Sequence, residues 1–449
     1  MARPASGPIG APHPREPSGR ALARLGDIVA GVIASVWLVG LALVLRHRIF
    51  ISLDTLINYA HVWFISNAIW HGHHLPLRMP VLGHGQAFAF PYGLAPWLTA
   101  SLVRPLAGDW IVTLWFVVGA VAAVVATFFA FPELVGSWWS AAVLANPALI
   151  FGALIGQLPF LWGSALLLFA AGCWRRQRRW LATVLAALAQ VTHPAVVAPI
   201  AAGLVLARLR SEPDRKSLLV CYALSLAPVI PAAVLVGQSP VFADSSLGVR
   251  LSAFVTTLIP RSLIVVVPGV LVSFRRAGRA WLGVASLVAL VALNAALWEP
   301  LGLTSAWSGL GRQPDTAMVS FTRSAAFSPG ATYRLLREGD GKVGTYQLLR
   351  AGGRLDSEFF PESIIRRSWP SEQAYSAFLR SRDVDFVMIW RSYTSRFHVN
   401  EPELLETLQG RSSTACAGPL VCVRLRAATA DYTLFEITRG DGPPPSART

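Results

Sequence analysis

Ten apolar segments, punctuated by clusters of arginine, fill the first two-thirds of the chain and leave little choice of fold. Residues 1–311 hold nine acidic residues against 21 Lys and Arg, whereas residues 312–449 hold 15 against 18. With 54% hydrophobic residues, 14% charged residues and a mean hydropathy of +0.50, the chain is too apolar for a soluble protein of this length. The formal net charge of +15 belongs mostly to the apolar part. There Lys and Arg mark cytoplasmic loops of a polytopic membrane protein, not a nucleic-acid surface, so nucleic-acid binding is excluded.

Residues 1–26, rich in Pro, Gly, Ala and Arg, read as a disordered cytoplasmic tail. They do not read as a signal peptide, because the apolar stretch starts late and Arg46 and Arg48 follow it. The apolar segments are 27–45, 92–107, 110–131, 137–155, 158–174, 180–191, 194–207, 218–236, 251–274 and 281–301. Arginine clusters at 175–179, 208–216 and 275–279 should all be cytoplasmic. That is possible only if one early segment fails to cross. The weakest is 92–107, which is short and contains Pro96, so it is assigned to a long first extracytoplasmic loop, 46–109, dipping into the membrane edge. Segments 180–191 and 194–207 are each shorter than a span needs and should form a pair meeting at Thr192, His193 and Pro194. About nine crossings result, with the N-terminus inside and the C-terminus outside, in a plasma (inner) membrane protein.

After the membrane region, 27–304, residues 305–449 read as a soluble extracytoplasmic domain. Helical period over 374–380 and 401–408, a β-rich run at 384–390 and an alternating run at 432–437 predict a small α/β layer. The overall fold class is mostly α: a transmembrane helical bundle with a small C-terminal α/β domain. Cys416 and Cys422 lie close together in this domain and are expected to form a disulfide outside the cell.

Asp54 is the outstanding chemical handle, since an acid at the membrane surface in so acid-poor a region is either costly or exposed. It is read as a catalytic carboxylate or, alternatively, as the cap of a helix starting at Thr55. His61 falls at i+7 from Asp54 and shares its helix face. The other first-loop histidines, His71, His73, His74 and His84, do not have the spacing of a zinc motif, and no metal site is assigned. His193 is either a cavity residue or the partner of a carbonyl freed by Pro194.

Asp54, then Asn58-Tyr59-Ala60-His61, the stretch from Gly72 to Leu77, Gly83-His84-Gly85 and Phe90-Pro91-Tyr92-Gly93 occur in an order that resembles the opening of the GT-C superfamily of polytopic glycosyltransferases. The likeness is strongest to its bacterial branch of 6-pyruvoyl-tetrahydropterin-synthase-related membrane proteins. Gly156-Gln157 resembles the Gly-Gln element of polyprenyl-dependent mannosyl- and arabinosyl-transferases, and 384–389 resembles a strand of their extracytoplasmic tails. The resemblance implies transfer of a sugar from a polyprenyl-phosphate carrier to an extracytoplasmic glycan, lipid or protein acceptor of the cell envelope. It implies Asp54 as general base, with Gln157 and Tyr92 in the cavity. Where the family commonly has an acidic pair, Asp54 is followed by Thr55, so no divalent metal or other cofactor is expected. The carrier phosphate calls for cations: Arg261, Arg250 and Arg78 are the candidates, with Pro260 expected to break the helix just before Arg261. Snorkelling to the headgroups is the other reading of Arg261. A lipid or solute transporter, or a noncatalytic partner of an envelope-assembly enzyme, is the alternative class.

Overall fold

The structure is a computed structural model and describes residues 17–49, 52, 54–83, 93–231, 234, 247–279, 281–301, 303–304, 316–336, 345–356, 369–390, 400–410 and 420–439. Helices dominate: α1 Pro17–Leu45, α2 Thr55–Trp70, α3 Thr99–Ala107, α4 Trp110–Ala130, α5 Ser137–Leu144, α6 Pro147–Ile155, α7 Leu158–Arg175, α8 Arg179–Thr192, α9 Pro194–Leu209 and α10 Arg215–Leu226, followed by Leu247–Arg276 and Trp281–Trp298. Among the described residues, six stretches are long and apolar enough to cross a membrane: Ala21–Leu45, Trp110–Ala130, Ser137–Ile155, Leu158–Arg175, Leu258–Arg276 and Trp281–Trp298. The chain is a multi-pass membrane protein. The three further crossings expected from sequence correspond to shorter described helices, α8, α9 and α10, of 14, 16 and 12 residues.

Two departures from simple spans shape the bundle. The 137–155 stretch breaks between α5 and α6 because Pro147 forces Asn146 into an extended conformation, φ −62° and ψ 119°. The break is satisfied within the protein. Asn146 Oδ1 accepts from Ala148 N (3.0 Å), its Nδ2 donates to Leu263 O (2.9 Å), and Asn294 Nδ2 donates to Ala145 O (2.9 Å). Segment 92–107 folds as a five-residue π-turn, Leu94–Leu98, running into the nine-residue α3, far below spanning length. It docks on the α8–α9 break, where Gly93 N donates to Thr192 O at 3.0 Å.

All three arginine clusters come to one end of the bundle. Arg175 pairs with Glu133 at 2.6 Å, Arg276 reaches the same carboxylate, Arg208 pairs with Glu212 at 2.9 Å, and Arg179 pairs with Asp214. The Arg175 guanidinium holds the Glu133 carboxyl down at about 2. The first turns of α1 join this end, where Trp138 Nε1 donates to Leu22 O at 3.0 Å.

Among its described residues the tail carries a five-stranded sheet in the order β2-β1-β3-β5-β4, built from β1 Thr332–Leu336, β2 Arg354–Leu355, β3 Phe386–Trp390, β4 Val421–Ala428 and β5 Tyr432–Arg439. β2, β1 and β3 are parallel; β5 and β4 complete the sheet antiparallel. Helices Glu372–Ser381 and Glu401–Gln409 match the sequence periodicity. Buried Arg334 crosses from β1 to Glu401 (2.6 Å) and Asp356 (2.7 Å), tying sheet to helix. Cys422 is disulfide-bonded, while Cys173 and Cys221 are free. Cys416 lies outside the described residues.

This sheet does not stand apart from the first loop. Leu82 bridges Leu355 at the sheet edge, with Leu355 N donating to Val81 O at 3.0 Å. One apolar cluster runs from Leu56, Tyr59 and Ile111 into Tyr346, Trp390 and Tyr432. A buried carboxylate pins the junction: Asp109 accepts from Arg104 (3.0 Å) on one side and Arg350 (2.9 Å) on the other.

Candidate active site

Asp54 stands at the cap position of α2, with φ −109° and ψ 1°, but its carboxylate makes no capping hydrogen bond. Oδ2 instead accepts from Gln157 Nε2 at 3.3 Å. The backbone explains why these distant residues meet. Asp54 N donates to Ile155 O at 2.7 Å, and Asn58 Nδ2 donates to both Asp54 O (2.8 Å) and Gly156 O (3.2 Å). Gly156 ends α6 in the left-handed region at φ +82°, and a Cβ there would stand 2.3 Å from Thr55 Cγ2. Only glycine permits both the turn and the approach. The start of α2 is thereby fastened to the α6–α7 turn that carries Gln157.

Gln157, buried ahead of α7, accepts at Oε1 from Arg261 Nε at 3.0 Å. The Arg261 guanidinium also lies 5.9 Å from the centre of the Phe160 ring. His193 meets that ring edge-on, 6.5 Å between centroids, and lies within the fields of both Arg261 and Asp54. Asp54, Gln157, Arg261 and His193 therefore form one constellation around Phe160, drawn from α2, α7, the α8–α9 break and the helix Leu247–Arg276. α7 places it about 27 Å from the Arg175 end of the bundle, at 1.5 Å per residue over 18 residues.

The other expected site residues fall elsewhere. His61 is buried and stacked on Trp97, 3.9 Å between centroids, with Nδ1 donating to Ile57 O at 2.9 Å. Trp97 Nε1 donates to Asn58 Oδ1 at 2.8 Å, so His61 is linked to the Asp54 turn through Trp97 and Asn58. Arg78 lies on the segment beyond the far end of α2, near the Leu82 bridge. Arg250 is in the first turn of Leu247–Arg276, about 16 Å along the axis from Arg261; its side chain lies outside the described residues, as do Tyr92 and His84. Pro260 does not break its helix, which runs continuously through it. The proline only withdraws one donor from the ladder, a loss that packed neighbours and local adjustment absorb. Asn58, Trp97 and Phe160 were missed as site residues. Asn58 at i+4 from Asp54 was the available signal.

Chemically, a carboxylate and a guanidinium are set on either side of an amide, an arrangement suited to taking a proton and holding an anion at neighbouring points. Among the described residues no group of three or more His, Cys, Asp or Glu is placed to hold a metal ion.

No protein-family model matches the chain, and no curated protein sequence does. Among solved structures it is similar to those of ArnT from Cupriavidus metallidurans. The apo state is 13% identical, with 93% of this chain and 98% of that chain covered and a TM-score of 0.43. The form bound to undecaprenyl phosphate is 14% identical, with 95% and 100% covered and a TM-score of 0.44.

Proposed function

We propose that this chain is a membrane glycosyltransferase of the GT-C type, moving a sugar from a polyprenyl-phosphate carrier to an extracytoplasmic cell-envelope acceptor. The observation that carries this reading is the Asp54–Gln157–Arg261 line at the end of the bundle opposite the arginine clusters. With those clusters facing the cytoplasm, the site and the tail sheet face outward, where a lipid-linked sugar and an envelope acceptor meet.

Asp54 takes the proton of the acceptor hydroxyl as that oxygen attacks the anomeric carbon. The bond from that carbon to the phosphate oxygen breaks, its electron pair stays on the phosphate, and Arg261 receives the charge on the departing polyprenyl phosphate. A guanidinium at this place supplies electrostatic stabilisation of the departing phosphate without a metal ion. Phe160 and His193 pack beside these two groups.

The test is transfer by the purified full-length protein from a panel of undecaprenyl-phosphate-linked sugars. Asp54→Asn is expected to fold and elute as the wild type while losing at least about 100-fold in turnover. Near-normal turnover of that variant overturns the reading.

A further inference from the structure

The side chain of Gln157 is bonded at both ends to groups of opposite charge, and its orientation is dictated by them. Nε2 faces the Asp54 carboxylate at 3.3 Å and Oε1 faces Arg261 Nε at 3.0 Å. Reversing the amide would set oxygen against oxygen and N–H against N–H, so only one orientation is stable. The backbone holds it there: Gln157 N donates to Gly152 O (3.0 Å), Gln157 O accepts from Leu161 N (3.0 Å), and the preceding residue is the left-handed Gly156. An acid and a guanidinium on the two sides of one amide attract each other across it. A direct pair would quench the base and occupy the cation at once.

We propose that Gln157 is a positioning residue that holds Asp54 and Arg261 at a fixed separation, so that one remains a base toward the acceptor and the other a clamp for the carrier phosphate. This rests on the function proposed above. A primary amide suits this role because it donates to an anion, accepts from a cation and adds no charge of its own. Among the described residues, the titratable and charged groups around it are Asp54 from α2, Arg261 from Leu247–Arg276 and His193 from the α8–α9 break.

The experiment is binding of undecaprenyl phosphate to the purified full-length protein in detergent, followed by tryptophan fluorescence across pH. Gln157→Glu places a carboxylate beside Arg261 and against Asp54. At about pH 8 it is expected to bind roughly tenfold more weakly, recovering toward wild type as pH falls and the new carboxyl protonates into a neutral likeness of glutamine. Gln157→Met, of similar length but without polar atoms, is expected to bind weakly with no such recovery. Adding Asp54→Asn to Gln157→Glu removes the like charge, so the midpoint of recovery should fall by roughly one pH unit. Wild-type affinity of Gln157→Glu at high pH, equal pH courses of the Glu and Met variants, or an unmoved midpoint in the double variant each overturn the inference. Arg261→Ala separates this from the parent reading. If it binds as the wild type, the phosphate site itself is wrong; if it loses binding while Gln157→Glu does not, only the role of Gln157 falls.

Discussion

At the scale of single residues, the site depends on an absent side chain. Gly156 at φ +82° leaves the space into which Thr55 packs, and Thr55 adjoins Asp54. Gly156→Ala costs about 1 kcal/mol or more for the left-handed backbone alone, and its Cβ pushes the start of α2 away from the turn carrying Gln157. Turnover is expected to fall more than thermal stability does, measured as initial rates beside a melting curve. Thr55→Ser in the same chain removes the Cγ2 contact while keeping the hydroxyl that bonds Ser52, and should restore part of the rate; no restoration would place the defect in the backbone strain. Which of these residues were legible in the sequence follows from the signals they leave. Asp54 was visible because acids are scarce near it, Gln157 through its Gly-Gln pairing, and Arg261 as a charge inside an apolar run. Helical period alone assigns His61 to the site. Period fixes the face of a helix but not what packs on that face, and here Trp97 covers the ring. Phe160 left no signal, since one aromatic in an apolar helix resembles any other.

At the scale of elements, apolar stretches were legible and their interruptions only partly so. The α8–α9 break announced itself by two short runs meeting at His193-Pro194, whereas the α5–α6 break lies within a stretch of uninterrupted hydropathy. Its signal was Asn146-Pro147, a polar cap followed by proline, and it acquires meaning only with the partners Leu263 and Asn294 in view. In the tail, strands β3 and β5 alternate or run apolar and could be read, but β2 has only two residues and owes its place to β1 and to Leu82. The joint between tail and first loop was hidden for the same reason: it depends on residues hundreds of positions apart. Asp109 is its centre, 2% exposed, while its partner Arg350 has a side chain 52% exposed. Removing either breaks the same bond, yet the consequences should differ. Asp109→Asn leaves Arg104 facing a neutral amide in a buried setting and is expected to cost about 3 kcal/mol; Arg350→Ala leaves Asp109 still paired with Arg104 and should cost less than about 1 kcal/mol. Thermal unfolding of both variants in detergent checks the order, and equal losses would mean that the tail, not the buried acid, bears the joint.

At the scale of the whole molecule, charge and covalent chemistry both bear on the proposed orientation of the chain in its membrane. Arginines separated by a hundred residues gather at one end with the start of α1, where Glu133, Asp214 and Glu212 balance only some of them. In the orientation proposed above, this surplus positive charge faces the cytoplasm, as the positive-inside rule expects. Tail and first loop share one apolar cluster and a strand bridge, so they occupy the same side, and a disulfide at Cys422 fits the proposal that this side is the oxidising one. The positive-inside rule and redox chemistry are independent of each other, and both favour the proposed orientation. A cysteine placed at Ser328, in the turn before β1, is therefore expected to react with a membrane-impermeant maleimide in intact cells, and one placed at Arg178 only after permeabilisation. Ser328 N and O both bond the Tyr333 hydroxyl through the backbone, so the substitution leaves that turn intact. Protection of position 328 together with labelling of position 178 would invert the molecule, put the Asp54–Gln157–Arg261 line on the cytoplasmic side, and remove the extracytoplasmic acceptor from the proposed reaction.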